Sequence, residues 1–344
     1  MERNETPVRT HEIVPAIGSQ KGGATELPPV FLHMGLPKTA TTTLQNTLFS
    51  QHPGICYLGK RGGLRSRNHC STEELYQALL PIFWQANKPS QPELVRSVVH
   101  AFAEERGPGK PILGSWERLI LKPQKVYAKM LQEAQSTLGD VRLIITLRNP
   151  LQRLPSAYLQ ALGAYAKRGK HHSMPDGRIF VSFDEWLLGS SRRPVKYDYR
   201  FVFGDNLRFS TQLLRPDNVG IFLMEDLVQD RDSFFDSVLR FMGLDSDHSP
   251  QIENRHLNPA YNLAQVEFLR ELDLSEQGRA RWLSMDVDER TQRMEEVRLT
   301  GDQDIYPVVP NESQRRFIED KSRELHHWLV DTFGLNLERH QYSL

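Results

Sequence analysis

An α/β fold built on a parallel sheet is what this sequence predicts, and three observations carry the prediction. Short apolar runs, too brief for helices, alternate with segments of helical periodicity, the order expected of strand–helix–strand crossovers. Each apolar run is followed by turn or helix-start residues. The first of them, FLHMGLPKTATTTLQ from Phe31, passes into a glycine, a lysine and a cluster of threonines, as a strand opening into an anion-binding loop would.

Taken in order, the strands are expected at Val30–Met34, Pro111–Ser115, Val141–Leu147 and Val219–Met224. Helices are expected at Thr41–Ser50, Thr72–Gln85, Gln91–Arg106, Lys125–Leu138, Pro150–Ala164, Asp230–Met242, Pro259–Leu272 and Glu312–Phe333. In DRDSFFDSVLRFMGL, Phe234, Phe235, Val238, Phe241 and Met242 share one helical face and Gly243 supplies the stop. Residues 1–28 are polar and rich in Gly, Pro and charge, without the apolar core of a secretory signal, and read as a flexible tail. No linker divides the rest. The expectation is a single domain over 29–344, with a core at 30–243 and a helical C-terminal part at 244–344.

The chain has 344 residues, 39% hydrophobic and 25% charged, with 43 basic against 43 acidic residues. That balance supplies no global field for nucleic acid or an anionic membrane, so an anion site has to be local. No stretch approaches the ~20 apolar residues of a membrane span, and the protein reads as cytoplasmic. The two cysteines, Cys56 and Cys70, have no zinc-like spacing. They are two reduced thiols or one disulfide, and the sequence leaves both open.

The segment after the first strand is the best candidate site. Gly35 permits a sharp turn, Leu36 and Pro37 lead on, and Lys38 presents a charge. Thr39, Thr41, Thr42 and Thr43, with Ala40 among them, surround the start of the next helix. Free backbone N–H groups and the positive end of a helix suit phosphate or sulfate. The spelling is not G-x-x-x-x-G-K-[ST], because no glycine precedes Lys38, which disfavours an ATP or GTP kinase.

A second anion motif follows the clearest buried strand, in VRLIITLRNPLQRLPSAY. Arg148 stands at the strand's carboxyl end, Pro150 suits a first helical position, and Ser156 lies about two turns in. A guanidinium fork and a hydroxyl are phosphate ligands, and ligands of open parallel sheets sit beyond the carboxyl ends of the strands.

Together GLPKTATTTL and R-N-P-x-x-R-x-x-S-x-Y resemble the 5′-phosphosulfate and 3′-phosphate motifs of sulfotransferases that use 3′-phosphoadenosine 5′-phosphosulfate (PAPS). The chain departs from that pattern at Ala40, where glycine is usual. NVGIFLMEDLVQD and SFDEWL resemble further segments of the family, so the resemblance runs from about Phe31 to Gly243. It implies a three-layer, P-loop NTPase-like sheet flanked by helices, with helical additions. It also implies transfer of a sulfuryl group from PAPS to an acceptor hydroxyl, leaving 3′-phosphoadenosine 5′-phosphate (PAP), without a metal. Lys38 would meet the leaving oxygen, the loop 35–43 the 5′-phosphate, and Arg148 and Ser156 the 3′-phosphate.

The acceptor expected by resemblance is a carbohydrate or glycolipid hydroxyl. Its general base is Glu117 of PILGSWERL, matching a Ser-x-Glu of bacterial-type members, or else His33. Glu117 could equally be a surface residue paired with Arg118, and His33 a satisfied core histidine. Basic clusters at 60–67, 167–172 and 192–196 and the loop 165–180 are candidate acceptor surfaces. Two alternatives stay open: a nucleotide kinase or NTPase with a variant loop, and a nucleotide-binding protein without activity.

Overall fold

The computed structural model describes residues 27–59, 70–85, 89–168, 178–189, 201, 203–245, 261–302 and 304–344. Most of the N-terminal tail and the clusters at 60–67 and 192–196 lie outside the described residues, as do 169–172 of the cluster at 167–172. So do 169–177 of the loop 165–180.

The chain runs β1 (Val30–His33), α1 (Thr41–Leu44), β2 (Cys56–Tyr57), α2 (Glu73–Phe83), α3 (Pro92–Arg106), β3 (Ile112–Ser115), α4 (Gln124–Leu138), β4 (Val141–Leu147) and α5 (Pro150–Arg168). It continues through α6 (Phe183–Leu188), α7 (Phe203–Leu214), β5 (Val219–Leu223), α8 (Met224–Gln229) and α9 (Arg231–Phe241). The last four helices are α10 (Leu263–Leu274), α11 (Glu276–Ser284), α12 (Val287–Thr300) and α13 (Glu312–Phe333). The five strands form one sheet in the order β2-β3-β1-β4-β5, and every pairing is parallel.

Alternation along the strands explains why helices cover both faces. Val30 and Leu32 of β1 and Val141, Leu143, Ile145 and Leu147 of β4 face one apolar cluster, shared with α2, α3, α4 and α7. Phe31 and Ile144 face the other, closed by α1 and by Phe234, Phe235, Val238 and Leu239 of α9. Strands buried on both faces read as near-continuous apolar runs, and β4 does, interrupted at Arg142 and Thr146. A third cluster joins α5 to α6 and α10–α13 through Leu154, Leu162, Trp186, Val266, Trp282 and Ile318. No helix among the described residues is long and apolar enough to cross a membrane.

The structure departs from the sequence expectations in places with physical causes. The helix expected at 41–50 is one α-turn, Thr41–Leu44, followed by a π-helical turn, Gln45–Phe49. Four threonines crowd it, and the Thr47 hydroxyl bonds the Thr43 carbonyl at 2.5 Å, competing with the regular ladder. Strand β2 is two residues long, too short to register as a run. Helix α7 hides its buried face, Leu207, Ser210, Thr211 and Leu214, behind Gly204 and Asn206, weak helix formers. Helix α10 starts at Leu263, where Asn262 and Gln265 form a capping box. Cys56 and Cys70 are free buried thiols, and burial pushes them up to about 11 and about 12.

Candidate functional site

The chain leaves β1 for β2 and β3 on one side of it and then crosses to β4 and β5 on the other. The crevice beyond the carboxyl ends of such strands is where open α/β sheets take ligands. β1 and β3 end there in register, with His33 opposite Ser115, while β4 pairs His33 with Ile144 and runs on to Leu147. Each delivers one predicted residue just past its end: Lys38 after β1, Glu117 after β3 and Arg148 after β4.

Gly35 is held by contact. A Cβ there would lie 2.6 Å from the hydroxyls of both Thr146 and Thr41, closer than any side chain tolerates. Beyond it Lys38 and Ala40 adopt left-handed backbone angles, with φ of 70° and 61°. Arg118, beside Glu117, has φ 69°, and its amide reaches the Gly35 carbonyl at 3.4 Å. Five non-glycine residues have positive φ among the described residues, and three of them are these. Such strain persists only where surrounding structure imposes it, and it gathers at ligand sites. Ala40 thus holds a backbone angle that a glycine would adopt without strain.

The backbone amides of Lys38, Thr39 and Ala40 have no acceptor among the described residues. The Thr41 hydroxyl is buried without a partner. Unpaired donors around a turn form an anion-binding concavity. Arg148 closes it from the β4 side, its Nη1 donating to the Lys38 carbonyl at 3.5 Å. Burial lowers the Lys38 ammonium from its ordinary value, the Arg148 charge lowers it further, and Glu117 works the other way. Arg148 is likewise lowered by burial, against the support of Glu225. Two partly desolvated cations are therefore held together, an arrangement that a bound anion relieves.

The residue before Glu117 is firmly anchored. Trp116 folds back over Gly114, where a Cβ would lie 2.4 Å from the indole, and packs on Phe83 and Trp84 at 4.7 and 5.2 Å. Glu117, next to the anchored Trp116, is half-buried, and its charge is felt at Lys38. Thr42 and Thr43 are half-buried, as is Ser156 on α5.

Two predicted roles are corrected by the geometry. His33 has no exposed surface, and burial holds its imidazole down to about 3. Its Nδ1 meets the Ser115 hydroxyl at 2.7 Å and its Nε2 the Thr146 hydroxyl at 3.3 Å, so it cannot reach an acceptor as base. Thr39, whose hydroxyl and backbone N–H the resemblance sets on phosphate oxygens, donates its hydroxyl proton to the Leu36 carbonyl at 2.8 Å. It has no second proton for a ligand.

Around Arg148 the motif residues take long-range partners that no motif names. Asn149 caps α5, its Oδ1 accepting from the Leu151 amide at 2.9 Å, and its Nδ2 donates to the His340 and Gln341 carbonyls at 3.0 Å each. Glu225 accepts from the Asn149 amide at 2.7 Å and from the Tyr342 hydroxyl at 3.2 Å. Asp226 takes Arg339 and His340, both at 2.6 Å. The C-terminal segment is thereby strapped behind Arg148. The Asn-Pro pair at 149–150 is a helix-start signal; nothing in the sequence pairs it with residues 340–342. Tyr158 is structural, its hydroxyl bonding the Val181 carbonyl at 2.6 Å. Beside it lies a cavity of about 240 Å³ whose walls include Tyr158, Phe180, Phe183, Tyr306, Arg270 and Gln314.

No known family model and no curated protein matches this chain. Among solved structures it is similar to a sulfotransferase from Alicyclobacillus acidocaldarius, at 18% identity over 77% of this chain and 99% of that one, with a TM-score of 0.45. It is similar also to the sulfotransferase domain of the Synechococcus PCC 7002 olefin synthase, at 15% identity over 82% and 98%, TM-score 0.39. A third is mouse sulfotransferase SULT7A1 complexed with PAP, at 11% identity over 85% and 88%, TM-score 0.33.

Proposed function

We propose that this protein transfers a sulfuryl group from PAPS to an acceptor hydroxyl and releases PAP. The observation that carries the reading is the meeting of two anion motifs 110 residues apart in sequence, with Arg148 Nη1 3.5 Å from the Lys38 carbonyl. A donor with phosphates at both the 3′ and 5′ positions needs two cationic sites in one crevice. A nucleoside triphosphate bound by its chain needs one, and leaves Arg148 without a role.

The residues present fit such a donor. The free amides of residues 38–40, the orphaned Thr41 hydroxyl and Lys38 suit the phosphosulfate end. Arg148 and Ser156 suit the 3′-phosphate. Bound there, the donor supplies a sulfur whose bond to the bridging oxygen breaks as the acceptor oxygen adds. Lys38 donates to that leaving oxygen as its charge grows, an electrostatic stabilisation realised most in the transition state. Glu117 takes the acceptor proton, from the adjacent strand end. For the acceptor we favour a carbohydrate or glycolipid hydroxyl over a small phenol.

Calorimetric binding of PAP and ATP to the wild type and to Arg148→Ala tests the proposal. PAP should bind tighter than ATP, and Arg148→Ala should weaken PAP by roughly tenfold to a hundredfold, the range of a lost charge-assisted bond. PAP affinity indifferent to Arg148, or ATP preferred, refutes it.

A further inference from the structure

Beneath the anion loop a line of buried polar groups crosses three strands, and its bond directions can be assigned one by one. The Thr39 hydroxyl donates to the Leu36 carbonyl at 2.8 Å, because a carbonyl can only accept. Thr39 therefore accepts from the Thr146 hydroxyl, 2.8 Å away. Thr146 has then used its one proton, so it accepts from His33 Nε2, which must carry hydrogen. At the other end Gln45 Nε2 lies 3.3 Å from the Ser115 carbonyl, which fixes the amide orientation, and donates also to the Ser115 hydroxyl at 2.9 Å. Ser115 then donates to His33 Nδ1 at 2.7 Å.

We infer that His33 is a positioning residue, a neutral Nε2–H imidazole at the centre of a one-directional relay, Gln45→Ser115→His33→Thr146→Thr39→Leu36, that sets the anion loop for its ligand. The relay begins at Gln45, after the loop, and ends at Leu36, within it, so one buried ring ties both flanks to the sheet. Gly35 makes it feasible, since any side chain there would displace the Thr146 hydroxyl. Because Thr39 is turned inward, the loop offers a ligand its backbone amides rather than that hydroxyl. All six relay residues are buried, each at most 4% exposed, so water cannot substitute for a missing partner. Reversing any one bond orphans a group at each end.

The effect on ligand affinity rests on the proposed function; the relay itself does not. Long-range 15N–1H correlation spectra of the wild type should show one histidine as the Nε2–H tautomer at neutral pH, its signals assigned by their loss in His33→Gln. A protonated Nδ1 on that ring overturns the relay whatever the protein binds. PAP affinity is then compared for Thr146→Val, which keeps the shape and removes the link, and for His33→Leu and His33→Gln. Thr146→Val and His33→Leu should each weaken PAP roughly tenfold, as an orphaned buried donor or acceptor does. Glutamine, whose amide can donate to Thr146, should recover most of the loss. Should His33→Leu fail to fold, Thr146→Val decides: unchanged affinity overturns the inference. Absence of PAP binding in the wild type refutes the proposed function and leaves the relay to be judged by the tautomer.

Discussion

Lowering the pH from 7 to 5 should cost the wild type stability that His33→Gln does not lose. In the folded protein the His33 ring is enclosed by Ser115, Thr146 and the edge of Phe49, 5.1 Å away, and burial lowers its pKa from 6.5 to about 3. The unfolded chain therefore takes up a proton near pH 6.5 that the folded state refuses, so stability falls as pH falls below 6.5. Between pH 7 and 5 the unfolded state gains about 2 kcal/mol from this one group, at 1.36 kcal/mol per unit. With ~2.1 cal/mol/K of unfolding entropy per residue, this is about 3 °C in Tm for a chain of 344 residues. His326 is shifted in the same direction by burial, so the quantity to read is the difference between the two proteins' losses. Calorimetric scans of both at pH 7 and 5 supply it. Equal losses in wild type and variant would mean that His33 accepts a proton in the folded state despite its burial.

The remaining predictions concern the crevice. Glu117→Gln should lower kcat by roughly 10²–10⁴-fold, the span of general base catalysis, while leaving PAP affinity within about twofold; undiminished turnover on a glycan panel removes Glu117 from the role of base. Ala40→Gly should raise Tm by about 1 °C, because relief of ~1–2 kcal/mol of left-handed strain exceeds the ~0.4–1 kcal/mol that glycine adds to the freedom of the unfolded chain. A fall in Tm would show that the Ala40 methyl makes contacts worth more than its strain.

Much of the sheet was legible because its strands are buried on both faces. Val141–Leu147 appears with its expected bounds, and the run at Val30 ends one residue early, at His33. The C-terminal helix over Glu312–Phe333 was legible for another reason, being long, amphipathic and capped by Asn311 with Gln314. Strand β2 was not, since two residues carry no periodicity. Of the candidate site, Lys38, Glu117 and Arg148 stand together because each follows a strand end, and parallel strands put those ends on one edge. The role proposed for His33 failed where position along a strand says nothing about solvent. A histidine two residues before Gly35 could face the crevice or the interior, and packing against Phe49 decides it.

By itself the sequence determined the alternation of strands and helices and the two anion motifs, because backbone turns, charge and apolar period are local properties. Only the tertiary structure decided which hydroxyls face the ligand and which the core. It turned Thr39 inward, left Thr41 without a partner and strapped residues 340–342 behind Arg148. Those outcomes follow from pairing each buried donor with an acceptor, and the partners lie as far as 192 residues apart in the chain.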